Sequence, residues 1–370
     1  TNLAQFNDLT SLSLESLIAL GGGLNGSPEI FSNDGALLAV CNPKGAISPH
    51  PVTGLCNAEC RLPALTALMV VANIHILVLP ESSVSHSQTS SVDRYVTTQV
   101  PNSKTYSANT SASSASITAP NINIAHKNSI SNHTSGGITL LLSPQIAPYV
   151  QSTPRVLSAG RGLVVHLRFP NSTQDDPDTW LIALYGISSP TDSSKPYKKS
   201  WATDLAHALS SELHNLQGKR VIVLADLNSV WRTVDRNHND LTEYDLWDLS
   251  LAKILLHFGF IDSHANFFGD KFVPSFFQYG KNPCSRIDGI WLSPALISSH
   301  PSPPCATFNI PGVFSGDHTV IFTRLPGFCI PDPSSNSRSP IAISTTPKST
   351  KWTLSATRTE TFKSILQNNS

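Results

Sequence analysis

The chain has 370 residues, with 25 Lys and Arg balanced by 25 Asp and Glu, 40% hydrophobic residues and only 14% charged ones. That apolar share can bury a core, and the length suits one large or two small domains; collagen, coiled coil and a mostly disordered chain are excluded. Zero net charge removes the case for a general nucleic-acid coat but not for a local basic groove.

Residues 1–35 end in Gly21-Gly22-Gly23 and read as a leader rather than a domain. A strand is expected over Gly35 to Cys41, a helix over Arg61 to Ala72 and a strand over His75 to Leu79. The apolar stretch Leu62 to Pro80 carries Pro63, Asn73 and His75, and reads as a buried helix entering a buried strand, not as a membrane span. Residues 82–135, rich in Ser, Thr and Asn, read as a low-complexity surface insertion. Strands follow over Gly137 to Leu142, Gly162 to Phe169 and Thr179 to Ile187, then a helix over Tyr197 to Leu216 with Trp201 on its core face. The basic pair Lys198-Lys199 fits a solvated helix face. Arg220 to Ala225 is a continuous apolar strand, Leu246 to Phe258 a helix, and Arg286 to Leu292 and Val320 to Thr323 the last strands. From Pro326 to Ser370 a Pro/Ser-rich linker leads into an element that is cut short. Strand pairs mixed with strand–helix–strand stretches predict an α/β architecture with mixed sheets.

Six cysteines are too few and too scattered for a disulfide scaffold. Cys56 and Cys60, near His50, lack a second pair at zinc spacing. His50, His75, His86, His126, His133 and His257 lie outside any motif and read as structural.

Isolated polar residues at the ends of apolar strands carry the chemistry. Glu81 follows Ile-Leu-Val-Leu-Pro, Asp226 and Asn228 end Val-Ile-Val-Leu-Ala, Asp288 opens a strand, and Asp317-His318 precedes Thr-Val-Ile-Phe. Any one of them alone reads as a helix cap or turn former. Several carboxylates converging on a sheet edge repel one another unless a cation neutralises them. Hard oxygen donors without Cys favour Mg²⁺ or Mn²⁺ over zinc, and His318 adds a group able to carry positive charge toward a phosphate. This is an inventory for phosphodiester hydrolysis.

The order of motifs resembles the endonuclease/exonuclease/phosphatase superfamily. Asn42 in Asn42-Pro43-Lys44-Gly45, Glu81 in Leu79-Pro80-Glu81 and Tyr185 in Leu184-Tyr185-Gly186 stand at three of its motif positions. Ala225-Asp226-Leu227-Asn228, Ser285-Arg286-Ile287-Asp288 and Gly316-Asp317-His318 stand at three more. The resemblance implies a four-layered α/β sandwich, two mixed β-sheets packed face to face with helices outside, over residues 36–325. It also implies Mg²⁺ (or Mn²⁺) at Glu81, Asn42 and Asp317, water activation by Asp226, and phosphate contacts from Asn228 and Tyr185. His318, paired with Asp288, would stabilise charge on the phosphate. The chain departs from the family pattern at Ala225, Gly316, Ser285 and Lys44, the last standing where abasic-site nucleases often carry an acid.

Within that superfamily the chain is most similar to the endonuclease domain of non-LTR (LINE-type) retrotransposon polyproteins. The features are Gly136-Gly137-Ile138 before a strand, Ile187-Ser188-Ser189-Pro190 after the Tyr, and the Pro/Ser linker into Lys351-Trp352. This similarity implies a DNA substrate nicked on one strand to leave a 3′-hydroxyl that primes reverse transcription. It implies a reverse transcriptase domain following in the chain and an intracellular, nuclear setting. The alternatives are a phosphatase or deadenylase of the same superfamily, and a non-catalytic binding module.

Overall fold

The central strands are apolar on both faces, as sheets covered on both sides require. The computed structural model describes residues 13–20, 24–32, 34–45, 47, 60–84, 86–108, 136–158, 160–169, 178–193, 195–237, 240–277, 284–309 and 317–326. His50, Cys56, His126, His133, Ser315, Gly316 and the linker from residue 327 onward lie outside the described residues.

The strands are β1 (Asn25–Gly26), β2 (Ala36–Val40), β3 (Ile76–Pro80), β4 (Lys104–Ala108) and β5 (Ile138–Leu142), then β6 (Arg155–Ser158), β7 (Gly162–Leu167), β8 (Thr179–Tyr185) and β9 (Arg220–Asp226). After them come β10 (Ile261–Asp262), β11 (Phe276–Phe277), β12 (Cys284–Ser285), β13 (Asp288–Leu292), β14 (Cys305–Phe308) and β15 (Val320–Leu325). The helices are α1 (Leu14–Leu20), α2 (Leu62–Val71), α3 (His86–Gln99), α4 (Pro196–Asn215), α5 (Glu243–Leu246), α6 (Leu251–His257), α7 (Ser263–Phe268) and α8 (Pro294–Ile297).

One sheet has the order β1-β14-β15-β2-β3-β5-β4 and the other β10-β13-β9-β8-β7-β6. Each is mixed: β2–β3 and β8–β9 are parallel, with α2 and α4 as their crossovers, and the remaining pairs are antiparallel. Alternation along the strands separates the layers. Leu38, Val40, Leu181, Ala183, Ile222 and Leu224 meet in one core between the sheets. Leu37, Ala39 and Leu77 turn the other way, onto α2 and α3, and Ile182, Leu184, Val221 and Val223 onto α4 and α6. The result is helix, sheet, sheet, helix, the four layers expected.

Four expectations differ from the structure. The segment 25–32 is part of the body: β1 pairs with β14, Ile30 is fully buried, and the Ile30 carbonyl accepts from buried Arg324 at 2.6 Å. Arg324 also donates to Asp34 and Gly35, so this stretch supplies acceptors that a buried guanidinium requires. The polar stretch after residue 82 holds α3, which buries Val92 and Val96 at helical spacing, and β4, which completes the sheet edge on β5. Two valines per helix are enough to anchor it, but too few to raise its mean hydropathy. The helix expected over 246–258 is split into α5 and α6, because a Thr242–Asp245 capping box starts one helix and Ser250 starts the next. Trp201 is 40% exposed and packs edge-on against Tyr197, because the buried stripe of α4 runs through Ala202, Leu205, Leu209 and Leu213.

His75, by contrast, is structural in a definable way. Its Nδ1 accepts the Leu37 N–H at 3.0 Å, and its own N–H donates to the Leu37 carbonyl at 2.9 Å. Burial, with Arg324 nearby, lowers the imidazole to about 4. The folded protein therefore disfavours the proton that the unfolded chain accepts near pH 6.5. This stability is present above that pH and lost as pH falls toward 4, by on the order of 2 kcal/mol. In His75→Asn the Oδ1 can still accept from Leu37 without titrating. Its urea midpoint is expected to fall less than the wild-type midpoint between pH 7 and 4.5.

Candidate active site

The strand positions that fill the inter-sheet core continue past the strand ends and carry polar residues to one edge of it. On the inward face, Ile222 and Leu224 are followed by Asp226, Ala183 by Tyr185, and Val40 by Asn42. On β13 the same alternation runs from Leu292 through Ile290 back to Asp288. Asp226 stands opposite Asp288 in the β9–β13 pair and beside Tyr185 in the β8–β9 pair. Sequence motifs far apart in the chain thus meet at one sheet edge.

Hydrogen bonds fix their orientation. Asn42 Nδ2 donates to Asp226 Oδ2 at 2.9 Å and to Glu81 Oε2 at 3.1 Å, while its Oδ1 accepts the Lys44 N–H at 2.8 Å. Asp226 Oδ1 accepts the Asn228 N–H at 3.0 Å, and Asn228 Nδ2 donates to the Gly186 carbonyl at 3.1 Å. His318 Nδ1 lies 2.8 Å from Asp288 Oδ2, and Phe276 packs on its ring at 5.0 Å. Lys44 Nζ pairs with Asp317 Oδ2.

Three of the polar positions sit in left-handed backbone: Lys44 (φ +52°), Glu81 (φ +53°) and Asn228 (φ +53°). Such backbone is uncommon for residues other than Gly and persists where the surroundings impose it. Ala225, where the family pattern has Gly, keeps a negative φ, so its Cβ is unstrained. Gly186 is required by space, since a Cβ there would lie 2.1 Å from the Leu227 carbonyl oxygen.

Burial sets the electrostatics. It raises Asp226 to about 7, with Asp288 adding to the rise and His318, Asn42 and Asn228 opposing it. For His318, burial acts downward, but Asp288, Asp226 and Asp317 together hold the imidazole at about 9, so it is positively charged at neutral pH. Burial, then Glu81 and Asp226, push the Tyr185 phenol well above its ordinary range, leaving it a hydroxyl donor.

These residues fit a divalent cation. Asp226 and Asp288 bring carboxylate oxygens together beside His318, and among the described residues Asp288 Oδ1 and Asp317 Oδ1 are buried with no hydrogen-bond partner. Oxygen donors dominate, as Mg²⁺ or Mn²⁺ would prefer. Of the three expected metal residues, Glu81 presents a carboxylate, Asn42 presents its nitrogen to the carboxylates, and Asp317 presents a carboxylate already paired with Lys44. Asn42 thus stands between the two acids through its nitrogen, while its Oδ1 accepts the Lys44 N–H.

Sequence reasoning missed Arg161, whose guanidinium lies 4.3 Å from the Tyr185 ring centroid and donates to the Gly186 carbonyl at 3.0 Å. It comes from the turn between β6 and β7, which carries no motif. Ser275 was also missed; its Oγ accepts the Asp288 N–H at 3.0 Å and so holds the start of β13.

No family model matches the chain, and no curated protein matches it in sequence. Solved structures do match. A 3′-5′ exonuclease (NExo) from Neisseria meningitidis superposes with a TM-score of 0.52 and 14% identity, covering 78% of this chain and 99% of that one. The catalytic domain of Xenopus laevis APE2 superposes with a TM-score of 0.52 and 15% identity, covering 78% and 91%. At such identities the likeness is one of fold, and the two mixed sheets of seven and six strands with helices outside are the α/β sandwich of the endonuclease/exonuclease/phosphatase fold.

Proposed function

We propose that the chain is a metal-dependent phosphodiester hydrolase that nicks one strand of DNA. The observation that carries this reading is the convergence of Asp226, Asn228, Asp288 and His318 at one sheet edge, with a buried Asp288 oxygen that has no hydrogen-bond partner among the described residues. The fold is shared with a protein described as a 3′-5′ exonuclease, which supports the reaction class.

In this reading Asp226, oriented by Asn42 and the Asn228 N–H, accepts the proton of the attacking water. His318, charged and held by Asp288, stabilises negative charge growing on the phosphate, and Asn228 and the Tyr185 hydroxyl contact the phosphoryl oxygens. Glu81 is the residue that would hold Mg²⁺ or Mn²⁺ beside Asp226, and the ion would supply charge neutralisation at the phosphate. The motif resemblance extends the proposal to an endonuclease of a non-LTR retroelement. Its nick leaves a 3′-hydroxyl that primes reverse transcription, with a reverse transcriptase as partner and the nucleus as setting.

Supercoiled-plasmid nicking tests the reaction. Mg²⁺-dependent relaxation is expected, abolished by EDTA and by His318→Ala, with nicked ends that a polymerase extends. Folded protein that spares plasmid but hydrolyses small phosphate monoesters would replace this reading with a phosphatase.

A further inference from the structure

The acidic edge is asymmetric in its cations. Among the described residues, no Lys or Arg nitrogen pairs with Glu81 or Asp226; their carboxylates accept from Asn42 Nδ2 and the Asn228 N–H. Asp317, at the other side, is paired with Lys44. We propose that Lys44 is a built-in cation that occupies the Asp317 side of the site, so that the protein takes one divalent ion, on the Glu81–Asp226 side, rather than two. This inference rests on the metal-dependent reading of the same site.

Lys44 is held for this role by its backbone as well as its ammonium. Its left-handed φ of +52° is locked by the bond from its N–H to Asn42 Oδ1, and the next N–H, that of Gly45, donates to the Glu81 carbonyl at 2.7 Å. The loop that aims Lys44 at Asp317 is therefore tied to the same Asn42 and Glu81 that face the opposite side. Asp317 is fixed in turn, since its carbonyl accepts the Phe277 N–H at 2.7 Å. Among the described residues its buried Oδ1 has no hydrogen-bond partner, while Lys44 holds Oδ2.

Mn²⁺ titration of the full chain, followed by calorimetry and by loss of the free-ion EPR signal, tests this without reference to turnover. Wild type is expected to bind one Mn²⁺ per chain, and Lys44→Arg, which keeps the cation, also one. Lys44→Asp and Lys44→Ala are expected to open a second site, with the Lys44→Asp site at least tenfold tighter. The Lys44 side chain is 56% exposed, so these variants should fold, with unchanged urea midpoints in EDTA as the check. Two ions in wild type, or one in Lys44→Asp, would overturn the role of Lys44 and leave the metal-dependent reading standing. No binding by wild type would overturn both.

Discussion

Replacing Asp226 by Asn is expected to lower plasmid nicking by roughly 10²–10⁴-fold while leaving the protein at least as stable as wild type. The two effects have one cause. Asp226 is buried opposite Asp288, and burial together with that neighbour raises its pKa from the ordinary carboxylate range to about 7. A raised folded pKa means that the folded state prefers the protonated form. The associated stability is present below pH 4 and lost as pH rises through 7, so at pH 8 the ionised carboxylate weakens the fold. Neutralising it removes up to about 4 kcal/mol of that penalty. Part is given back, because Asn42 Nδ2 now faces an amide instead of a carboxylate, while the Asn228 N–H keeps an oxygen acceptor. A net gain of about 1–2 kcal/mol at pH 8 in EDTA remains, shrinking toward zero at pH 4. Urea unfolding at the two pH values, beside nicking with Mg²⁺, reads both halves. Undiminished nicking would remove Asp226 from the chemistry. A lower stability at pH 8 would show that the Asn42 contact outweighs the repulsion from Asp288.

Much of this site was legible because an apolar strand that ends in a carboxylate is conspicuous. Asp226 and Tyr185 close apolar strands and Asp288 opens another, so alternation carries each of them onto the inward face of its strand. The order of the motifs carried the four-layered fold. Lys44 stood out only as a departure from a pattern, and its pairing with Asp317 depends on a contact between distant parts of the chain that no local rule encodes. The left-handed backbone at Glu81 was invisible for a related reason: Glu, unlike the Asn at position 228, does not announce a positive φ. Local polarity misled in two places. The Ser/Thr-rich stretch after residue 82 concealed α3 and β4, since tertiary contacts of a few valines override weak propensity. Trp201 shares the helical spacing of the core leucines but falls at the margin of their stripe, where a large ring lies over the surface instead of entering.

Arg286→Met is expected to destabilise the protein by about 3–5 kcal/mol and to weaken nicking through displacement of Asp288, although Arg286 has no contact with the proposed chemistry. Arg286 is buried two residues before Asp288 and binds two buried acids from different elements. Its Nε and Nη2 form a fork onto Asp235 at 3.1 and 2.9 Å, and its Nη1 bonds Asp262. Its N–H also donates to the Asp235 carbonyl at 2.9 Å, and Asp262 Oδ1 caps α7 through the His264 N–H at 3.0 Å. Burial works to raise Asp262, and Arg286 reverses this, leaving the carboxyl below its ordinary range. Removing the guanidinium therefore leaves Asp262 a buried charge without its cation, whereas Asp235 keeps Arg232 at 3.0 Å. The cost should thus concentrate on Asp262. Adding Asp262→Asn to Arg286→Met should recover about half of the loss, since an amide oxygen can still cap α7 and carries no charge to bury. Arg286→Lys should fall between, keeping the charge but losing the fork onto Asp235. Urea midpoints of wild type, the two single variants and the double variant complete the cycle. If Arg286→Met unfolds at the wild-type midpoint, the triad does not support the fold. If Asp262→Asn restores nothing, the loss comes from packing around the guanidinium and not from the uncompensated carboxylate.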